Sequence, residues 1–290
     1  MLGFVAHADH DRVRRAAAVV RRPAGRLSVR IICPVKRVPD TAADKRIADD
    51  RTVDRDACEP VLNANDEWAI EEAMRAKEAG TAGEAIALCM GPETAQQTLR
   101  KALSYGLDGA IHVADEACAG SDAVGTARVL AAALADQPWD LILMGNQSSD
   151  ARTMLVPAML AERLGVPALT YAKRLAIADG EATVDRELPS GHQTVTAPLP
   201  VVVSVVEAVN EPRYPSFKGI MAAKNKPVET KDLAAIGIDP AQVGRAGARA
   251  QVIDITPRPP KQAGESVADD GSGEVGARAL AEFLAQHKLI

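Results

Sequence analysis

The chain has 290 residues, of which 47% are apolar and only 3% aromatic, and its formal net charge is −5. This length and apolar fraction suffice for one large α/β domain with a tail, or for two small domains. The negative charge leaves no basic face for a nucleic-acid backbone, and no apolar run reaches the roughly 18 residues of a membrane helix. We therefore expect neither nucleic-acid binding nor membrane insertion.

Residues 1–28 differ in composition from the rest of the chain, being rich in arginine. They lack the apolar core and cleavage site of a secretory signal. A targeting presequence and an upstream mis-start, with translation beginning near Leu27, both account for the arginines. Asp9 and Asp11 count against the presequence. We predict that residues 1–28 form a poorly ordered extension.

Four apolar runs alternate with helical segments over the next 140 or so residues. The predicted strands are residues 29–34, 84–90, 110–113 and 141–144, and the predicted helices are residues 66–79, 93–104, 121–136 and 157–164. Uninterrupted apolar strands between helices indicate a doubly wound, mostly parallel sheet covered on both faces. Right-handed crossovers bring the carboxyl ends of such strands to one edge, where ligands bind.

The pattern changes beyond Val166. Residues 169–178, 181–187, 192–196 and 201–206 read as strands, and Asp179-Gly180 is a strong hairpin signal. We expect this antiparallel section to extend the same sheet. A loop with a short helix follows over residues 207–227, and a further strand is predicted at residues 250–255. The α/β domain thus spans residues 29–255, and residues 256–290 form a Pro-rich arm with a final helix at about 275–287.

The loop after the fourth strand, Gly145 to Asp150, is the most informative one for function. It places backbone N–H groups and the hydroxyls of Ser148 and Ser149 before a helix, an arrangement that attracts phosphate. Gly145 would let the backbone approach a ligand closely. A plain strand–loop–helix turn with Asp150 as the helix cap explains the same residues equally well. For residues 63–66, helix capping is the favoured role from the residues alone.

A second signal is the polar loop from Asn210 to Met221, which two prolines stiffen. It carries Tyr214 and Phe217, rings that suit an interface anchor. From the residues alone, burial of Phe217 in the core is slightly favoured.

Catalytic residues are not predicted. None of the five histidines is paired with a carboxylate or cysteine in a recognisable arrangement, and Glu71-Glu72 reads as a solvated helix face. The four cysteines, Cys33, Cys58, Cys89 and Cys118, form no Cys-x-x-Cys pair, so we predict no metal site and a reducing compartment, the cytoplasm. A nucleotide site without catalytic groups favours a binding subunit over an enzyme.

Several segments, in this order, resemble the beta subunits of electron transfer flavoproteins. They are residues 33–40, 62–66, 69–73, 91–92, 100–103, 145–150, 210–213, 220–223 and 256–264, together with the final helix. The resemblance covers about residues 29–290, and the Asn-Glu-Pro-Arg sequence at 210–213 is its most specific part.

The resemblance implies a Rossmann-like fold and a heterodimer with an alpha subunit that holds FAD. It implies that this subunit binds AMP structurally, and that the arm and final helix pack on the alpha subunit. Electrons would come from acyl-CoA and other primary dehydrogenases and pass to a quinone oxidoreductase. The implied AMP contacts are Pro34, Asn63, Ala64, Asn65, Asp66, Met90, Gly145, Asn146, Gln147, Ser148, Ser149, Asp150, Ala151, Arg152 and Thr153. The implied docking residues are Glu211, Arg213, Tyr214, Phe217, Ile220 and Met221, with Phe217 as the anchor in place of a core residue.

Two alternatives stay open. Electron-bifurcating relatives hold a second FAD in the beta subunit, but their phosphate loop commonly carries Asp-Gly-Asp where this chain has Asp150-Ala-Arg152. A lone adenine-nucleotide-binding module for signalling or ATP hydrolysis would need no partner, against which the Pro-rich arm counts.

Overall fold

The fold is that of a computed structural model, which describes residues 28–43, 45–55, 57–256, 259, 264, 266–268 and 270–290. The chain divides into two compact units, Met1–Val252 and Ile253–Ile290. Except for Ser28, the predicted N-terminal extension lies outside the described residues, and the expectation for it stays a prediction.

The described residues form twelve strands and seven α-helices. The strands are β1 (Val29–Pro34), β2 (Arg37–Pro39), β3 (Pro60–Leu62), β4 (Ala82–Met90), β5 (Gly109–Val113), β6 (Leu141–Gly145), β7 (Ala168–Ala172), β8 (Arg174–Ala178), β9 (Glu181–Leu188), β10 (Gly191–Pro198), β11 (Val201–Val205) and β12 (Val228–Lys231). The helices are α1 (Ala64–Glu78), α2 (Gln96–Ser104), α3 (Ala123–Ala133), α4 (Val156–Leu164), α5 (Phe217–Ala223), α6 (Gly244–Gly247) and α7 (Glu274–Gln286).

Seven strands of the larger unit form one all-parallel sheet in the order β12-β5-β4-β1-β6-β11-β7. The first four predicted strands are confirmed as β1, β4, β5 and β6. Helices cover both faces: Ile31 and Cys33 of β1 pack in one core with α1 and α2, and Ile32 packs in a second core with α3 and α4. The doubly wound α/β fold is therefore confirmed.

β1 lies at the switch point of the sheet. The chain leaves β1 toward β4 and β5 on one side and then returns to place β6 on the other side of β1. The carboxyl ends of β1 and β6 consequently frame a crevice, which is where open α/β sheets bind ligands.

The antiparallel section is confirmed for β8, β9 and β10, which form a separate three-stranded sheet rather than an extension of the central one. The hairpin turn at Asp179-Gly180 has the positive φ angles, 53° and 80°, that such a turn requires. β7 and β11 instead join the central sheet in parallel. Tyr171, the next-to-last residue of β7, has a φ of 60°, and Lys173 separates β7 from β8, so the predicted 169–178 strand is two strands.

The strand predicted at residues 250–255 is wrong, since no strand is described there. The backbone amides of Arg249 and Ala250 donate instead to Asp122 Oδ2, at 2.7 and 3.2 Å. Three strands that were not predicted are short: β2, β3 and β12, the last of which carries the charged Glu229 and Lys231.

The smaller unit contains α7, and the predicted final helix is confirmed within a residue or two. Its Val275, Leu280 and Phe283 are exposed. Within the part of the chain that the structure describes, no helix is long and apolar enough to cross a membrane.

Candidate functional site

A ten-residue loop, 146–155, connects β6 to α4 at the crevice. α4 begins at Val156 with Pro157 in its first turn, as predicted, but its N-cap position is Leu155. Asp150 as the helix cap is therefore wrong. Arg152 and Met154 have positive φ angles of 49° and 56°. For residues other than glycine this backbone costs on the order of 1–3 kcal/mol, and such strain tends to occur at functional sites.

Gly145 brings this loop against the first turn of α1. A β-carbon there would lie 2.7 Å from the backbone carbonyl carbon and oxygen of Asn65. The side-chain amide of Asn65 also donates to Asn146 Oδ1, at 3.2 Å. The absence of a side chain at Gly145 thus allows the contact between β6 and α1. The sequence had suggested that it would allow the backbone to approach a ligand.

Asn63 connects α1 to the loop. It occupies the N-cap position of α1 but makes no side-chain capping bond, so the capping prediction is wrong. Its Nδ2 donates to Asp66 Oδ1 at 2.9 Å and to the Gln147 carbonyl at 3.0 Å, and its Oδ1 accepts from the Ser149 amide at 3.0 Å. The buried amide therefore holds the start of α1 and the loop together.

Asp66 continues this network toward β1. Its Oδ2 accepts from the Lys36 amide at 2.8 Å. Burial raises the pKa of Asp66 to about 7, and the hydrogen bonds from Asn63 and Lys36 offset only part of this effect.

Asp150 is a buried carboxylate between two cations. Lys36 Nζ donates to both of its oxygens, at 2.9 and 3.0 Å, and the Arg55 guanidinium also pairs with it. Burial by itself would raise the pKa of Asp150, but Lys36 and Arg55 outweigh it and hold that pKa well below its usual range. Lys36 also donates to Ser148 Oγ at 3.3 Å. Two cations and one carboxylate leave a net formal charge of +1 at this point.

Lys36 and Arg55 were not predicted as site residues. Lys36 follows the last residue of β1 by two positions, so the rule that ligands bind beyond the carboxyl ends of strands could have identified it. Arg55 lies in the long connection between β2 and β3, where no local pattern points to the crevice.

Several polar groups of the loop have no partner among the described residues. The side-chain atoms Gln147 Oε1 and Ser149 Oγ are buried and unpaired. The backbone amides of Thr153, Met154 and Leu155 also donate to no described group, but these three residues are exposed, so solvent can satisfy their amides. Unpaired buried polar groups are costly and uncommon in native proteins, so Gln147 Oε1 and Ser149 Oγ are the two atoms of the loop that suit a polar ligand.

The remaining predicted site residues lie around this core. Pro34 and Met90 are at the carboxyl ends of the neighbouring strands β1 and β4. Ala64 opens α1, and Ala151, Arg152 and Thr153 form the exposed part of the loop.

A second feature is the segment 210–221, which includes the start of α5. Tyr214 is 96% exposed and Phe217 80% exposed, so burial of Phe217 in the core is wrong for this chain. Ile220 and Met221 are exposed beside them. Isolated exposed apolar residues are ordinary, but a cluster with two aromatic rings marks an interaction surface.

The solvated face predicted for Glu71-Glu72 is wrong at Glu71, which is buried. Its carboxylate accepts from Arg213 and Arg75. Burial alone would raise the pKa of Glu71, but the hydrogen bonds from Arg213 lower it below its usual value.

Groups for metal or thiol chemistry do not converge in the described residues. No group of three His, Cys, Asp or Glu side chains there could hold a metal ion. All four cysteines are buried and outside any disulfide, and burial raises the thiol pKa of Cys89 to about 12 and that of Cys118 to about 11.

The fold and this site define a doubly wound α/β protein with a polar ligand crevice at the switch point of its sheet. Residues 50–236 match the family model described as the electron transfer flavoprotein domain. The chain is 44% identical over 266 residues to the "Electron transfer flavoprotein subunit beta" of Mycobacterium tuberculosis, covering 90% of this chain and 99% of that protein. This chain belongs to the family of electron transfer flavoprotein beta subunits.

More distant relatives also align with this chain over nearly their whole length. The "Electron transfer flavoprotein subunit beta" of Megasphaera elsdenii is 34% identical over 265 residues, which are 88% of this chain and 98% of the relative. The "Caffeyl-CoA reductase-Etf complex subunit CarD" of Acetobacterium woodii is 32% identical over 260 residues, 89% and 99% of the two chains. The resemblance stated from the sequence is confirmed.

Proposed function

We propose that this chain is the AMP-binding subunit of a heterodimeric electron carrier whose FAD is held mainly by an alpha subunit. The observation that carries the AMP assignment is the set of unpaired buried groups beside a net positive charge. Ser149 Oγ is free to donate to a phosphate oxygen, and Gln147 Oε1 is free to accept from a ribose hydroxyl or an adenine amino group. An adenine nucleotide supplies both kinds of partner.

The charge of the crevice suits a phosphate. Lys36 and Arg55 exceed the charge of Asp150 by one, and the unpaired amides of residues 153–155 add donors. Charge-assisted bonds to phosphate are about twice as strong as neutral ones. AMP has no redox-active ring, so its contribution is to fill the crevice and to join the loop to α1.

The electron route uses the partner and the exposed segment. We assign the docking of acyl-CoA and other primary dehydrogenases to Tyr214, Phe217, Ile220 and Met221, which the structure leaves exposed, with Glu211 at the rim. Electrons then pass through the alpha-subunit FAD to a quinone oxidoreductase. The exposed apolar residues of α7 support packing of residues 256–290 on the alpha subunit. The four cysteines are outside any disulfide, which favours a reducing compartment, the cytoplasm.

The AMP assignment is tested by Ser149→Glu in the coexpressed heterodimer. A carboxylate beside the assigned phosphate repels it, so the variant is expected to lose most of its AMP and keep its FAD. Ser190→Glu, at an exposed turn between β9 and β10, is the matched control and should keep both. Nucleotides released by denaturation are quantified by chromatography. A Ser149→Glu heterodimer that retains AMP at the level of the control contradicts the placement.

A further inference from the structure

The turn that carries Tyr214 and Phe217 is held from its upstream side by Arg213. The Arg213 guanidinium donates to Glu71 Oε2 at 2.7 Å and to Glu71 Oε1 at 3.0 Å. It also donates to both oxygens of Glu78, one of them at 3.0 Å. Its backbone amide reaches Glu71 Oε2 at 3.2 Å. The Arg213 side chain thus donates to two carboxylates of α1. Arg213 directly precedes Tyr214, the most exposed residue of the turn.

Asn210 adds a second contact to the same helix. Its Nδ2 donates to the Trp68 carbonyl at 2.9 Å and to Glu72 Oε2 at 3.0 Å. The Asn-Glu-Pro-Arg sequence therefore places two polar side chains on α1, four and one residues before Tyr214.

The downstream side of the turn is held by Arg100 of α2. Its Nη1 donates to the Ala223 carbonyl at 2.8 Å and to the Lys226 carbonyl at 2.6 Å. Lys226 in turn donates to the carbonyls of Leu103 and Leu107. Gly219 lies so close to α2 that a β-carbon would be 2.4 Å from the Ser104 carbonyl oxygen.

Both supporting helices are fixed in the core. α1 contributes Ile70 and Met74 to the core on one face of the sheet, and α2 contributes Leu99 and Leu103 to the same core. An exposed turn attached at both ends to packed helices has few conformations to lose when it contacts a partner. Ordering a flexible side chain at an interface otherwise costs about 0.5–1.5 kcal/mol.

We infer that Arg213 and Arg100 are positioning residues that hold the Tyr214–Phe217 turn ready for the electron-donating dehydrogenase. They act through the position of the Phe217 ring, because Arg213 is engaged with Glu71 and Glu78 and Arg100 with the carbonyls of Ala223 and Lys226. The inference rests on the docking role in the proposed function. It also gives a reason for two of the family segments, 210–213 and 100–103, that the nucleotide site does not use.

The test uses the FAD-containing heterodimer as the electron acceptor of a purified acyl-CoA dehydrogenase. Arg213→Ala is expected to raise the KM for the heterodimer about tenfold and to change kcat less than about twofold, because only the ordering of the turn is lost. Arg213→Lys keeps the charge but loses the bidentate hydrogen bonding, and it should give a smaller increase in KM than Arg213→Ala. Arg174→Ala, an exposed arginine of β8, is the control and should leave both constants unchanged.

Two further readouts separate positioning from general destabilisation. Amide hydrogen exchange of residues 214–218 should become faster in Arg213→Ala, while FAD content stays unchanged. Phe217→Ala alone should raise KM, and adding Arg213→Ala to it should add little, because the arginine acts through the ring. If Arg213→Ala does not assemble, Glu78→Gln, which weakens only the exposed half of the contact, is measured instead with the same expected direction.

The outcomes are distinguishable. A normal KM in Arg213→Ala, or fully additive effects in the double variant, overturns the positioning role while a raised KM in Phe217→Ala keeps the docking role. A normal KM in Phe217→Ala overturns the docking role and the positioning role with it.

Discussion

Gly145 brings the start of the 146–155 loop against α1. The last position of β6 has no room for a β-carbon, since the Asn65 backbone lies 2.7 Å from where that carbon would be. The neighbouring Asn63 and Asn65 hydrogen bonds depend on the same approach. One atom at this position would therefore separate the two sides of the crevice.

Gly145→Ala is expected to lower stability by about 1–3 kcal/mol, the usual cost of overpacking, and to lower AMP retention by the heterodimer. Gly276→Ala is the matched control, because nothing lies within 4 Å of its added carbon and α7 is helical there. The control should be neutral or slightly stabilising. Thermal unfolding and AMP content measure the two effects. A Gly145→Ala protein with the Tm and AMP content of wild type would show that the contact between residue 145 and the Asn65 backbone can accommodate a β-carbon.

Single residues show where the sequence was sufficient and where it was not. The loop from Gly145 to Asp150 was predicted because a strand–loop–helix order is a local pattern. The partners of Asp150 were not, because Arg55 and Lys36 are 95 and 114 residues away from it in the chain. The role of Asn63 was predicted as capping for the same reason, since its acceptor on Gln147 is 84 residues away.

α1 connects the two functional regions of this subunit. Its first turn contributes Asn65 and Asp66 to the crevice, and its later turns contribute Glu71 and Glu78 to the Arg213 contact. The proposed nucleotide site and the proposed docking turn are consequently both attached to this helix.

The start of α1 gives the protein a pH-dependent stability. The pKa of Asp66 is raised from its ordinary 3.8 to about 7 by burial, so the folded state binds this proton more tightly than the unfolded chain. Its contribution to stability is complete below the unfolded pKa and declines as pH rises through about 7. His112, whose pKa burial lowers, acts in the opposite direction.

The difference between wild type and Asp66→Asn isolates the Asp66 effect from that of His112. Between about pH 5 and pH 8, the free energy of unfolding of the wild type is expected to fall relative to that of the variant, by on the order of a few kcal/mol. The Tm of the wild type should fall relative to that of the variant over the same range. The comparison uses the slope of Tm against pH in each protein and does not depend on the absolute Tm of the variant. Parallel Tm curves for the two proteins would contradict the raised pKa.

At the scale of elements, continuous apolar runs predicted β1, β4, β5 and β6, because strands covered on both faces need apolar side chains throughout. The same criterion applies to β11, which is buried at every position and joins the parallel sheet. Its neighbours in the chain alternate and turn back at Asp179-Gly180, which led to its assignment to the antiparallel section. β12 was missed because it is four residues long, and Lys231 in it is neutralised by ion pairs with Asp136 and Glu229.

The whole molecule divides the work of an electron carrier between two surfaces. The sheet edge at the switch point carries the unpaired buried groups to which the proposed function assigns AMP, and the 210–221 segment carries the exposed rings to which it assigns a protein partner. Electrons on this account travel on a flavin that the partner subunit holds.

The most direct measurement of the central claim is the nucleotide content of the coexpressed heterodimer. After denaturation and chromatography, we expect equal amounts of FAD and AMP, one of each per heterodimer, and no flavin with this chain when it is purified alone. Two FAD molecules per heterodimer without AMP, or redox turnover by this chain on its own bound flavin, would contradict it.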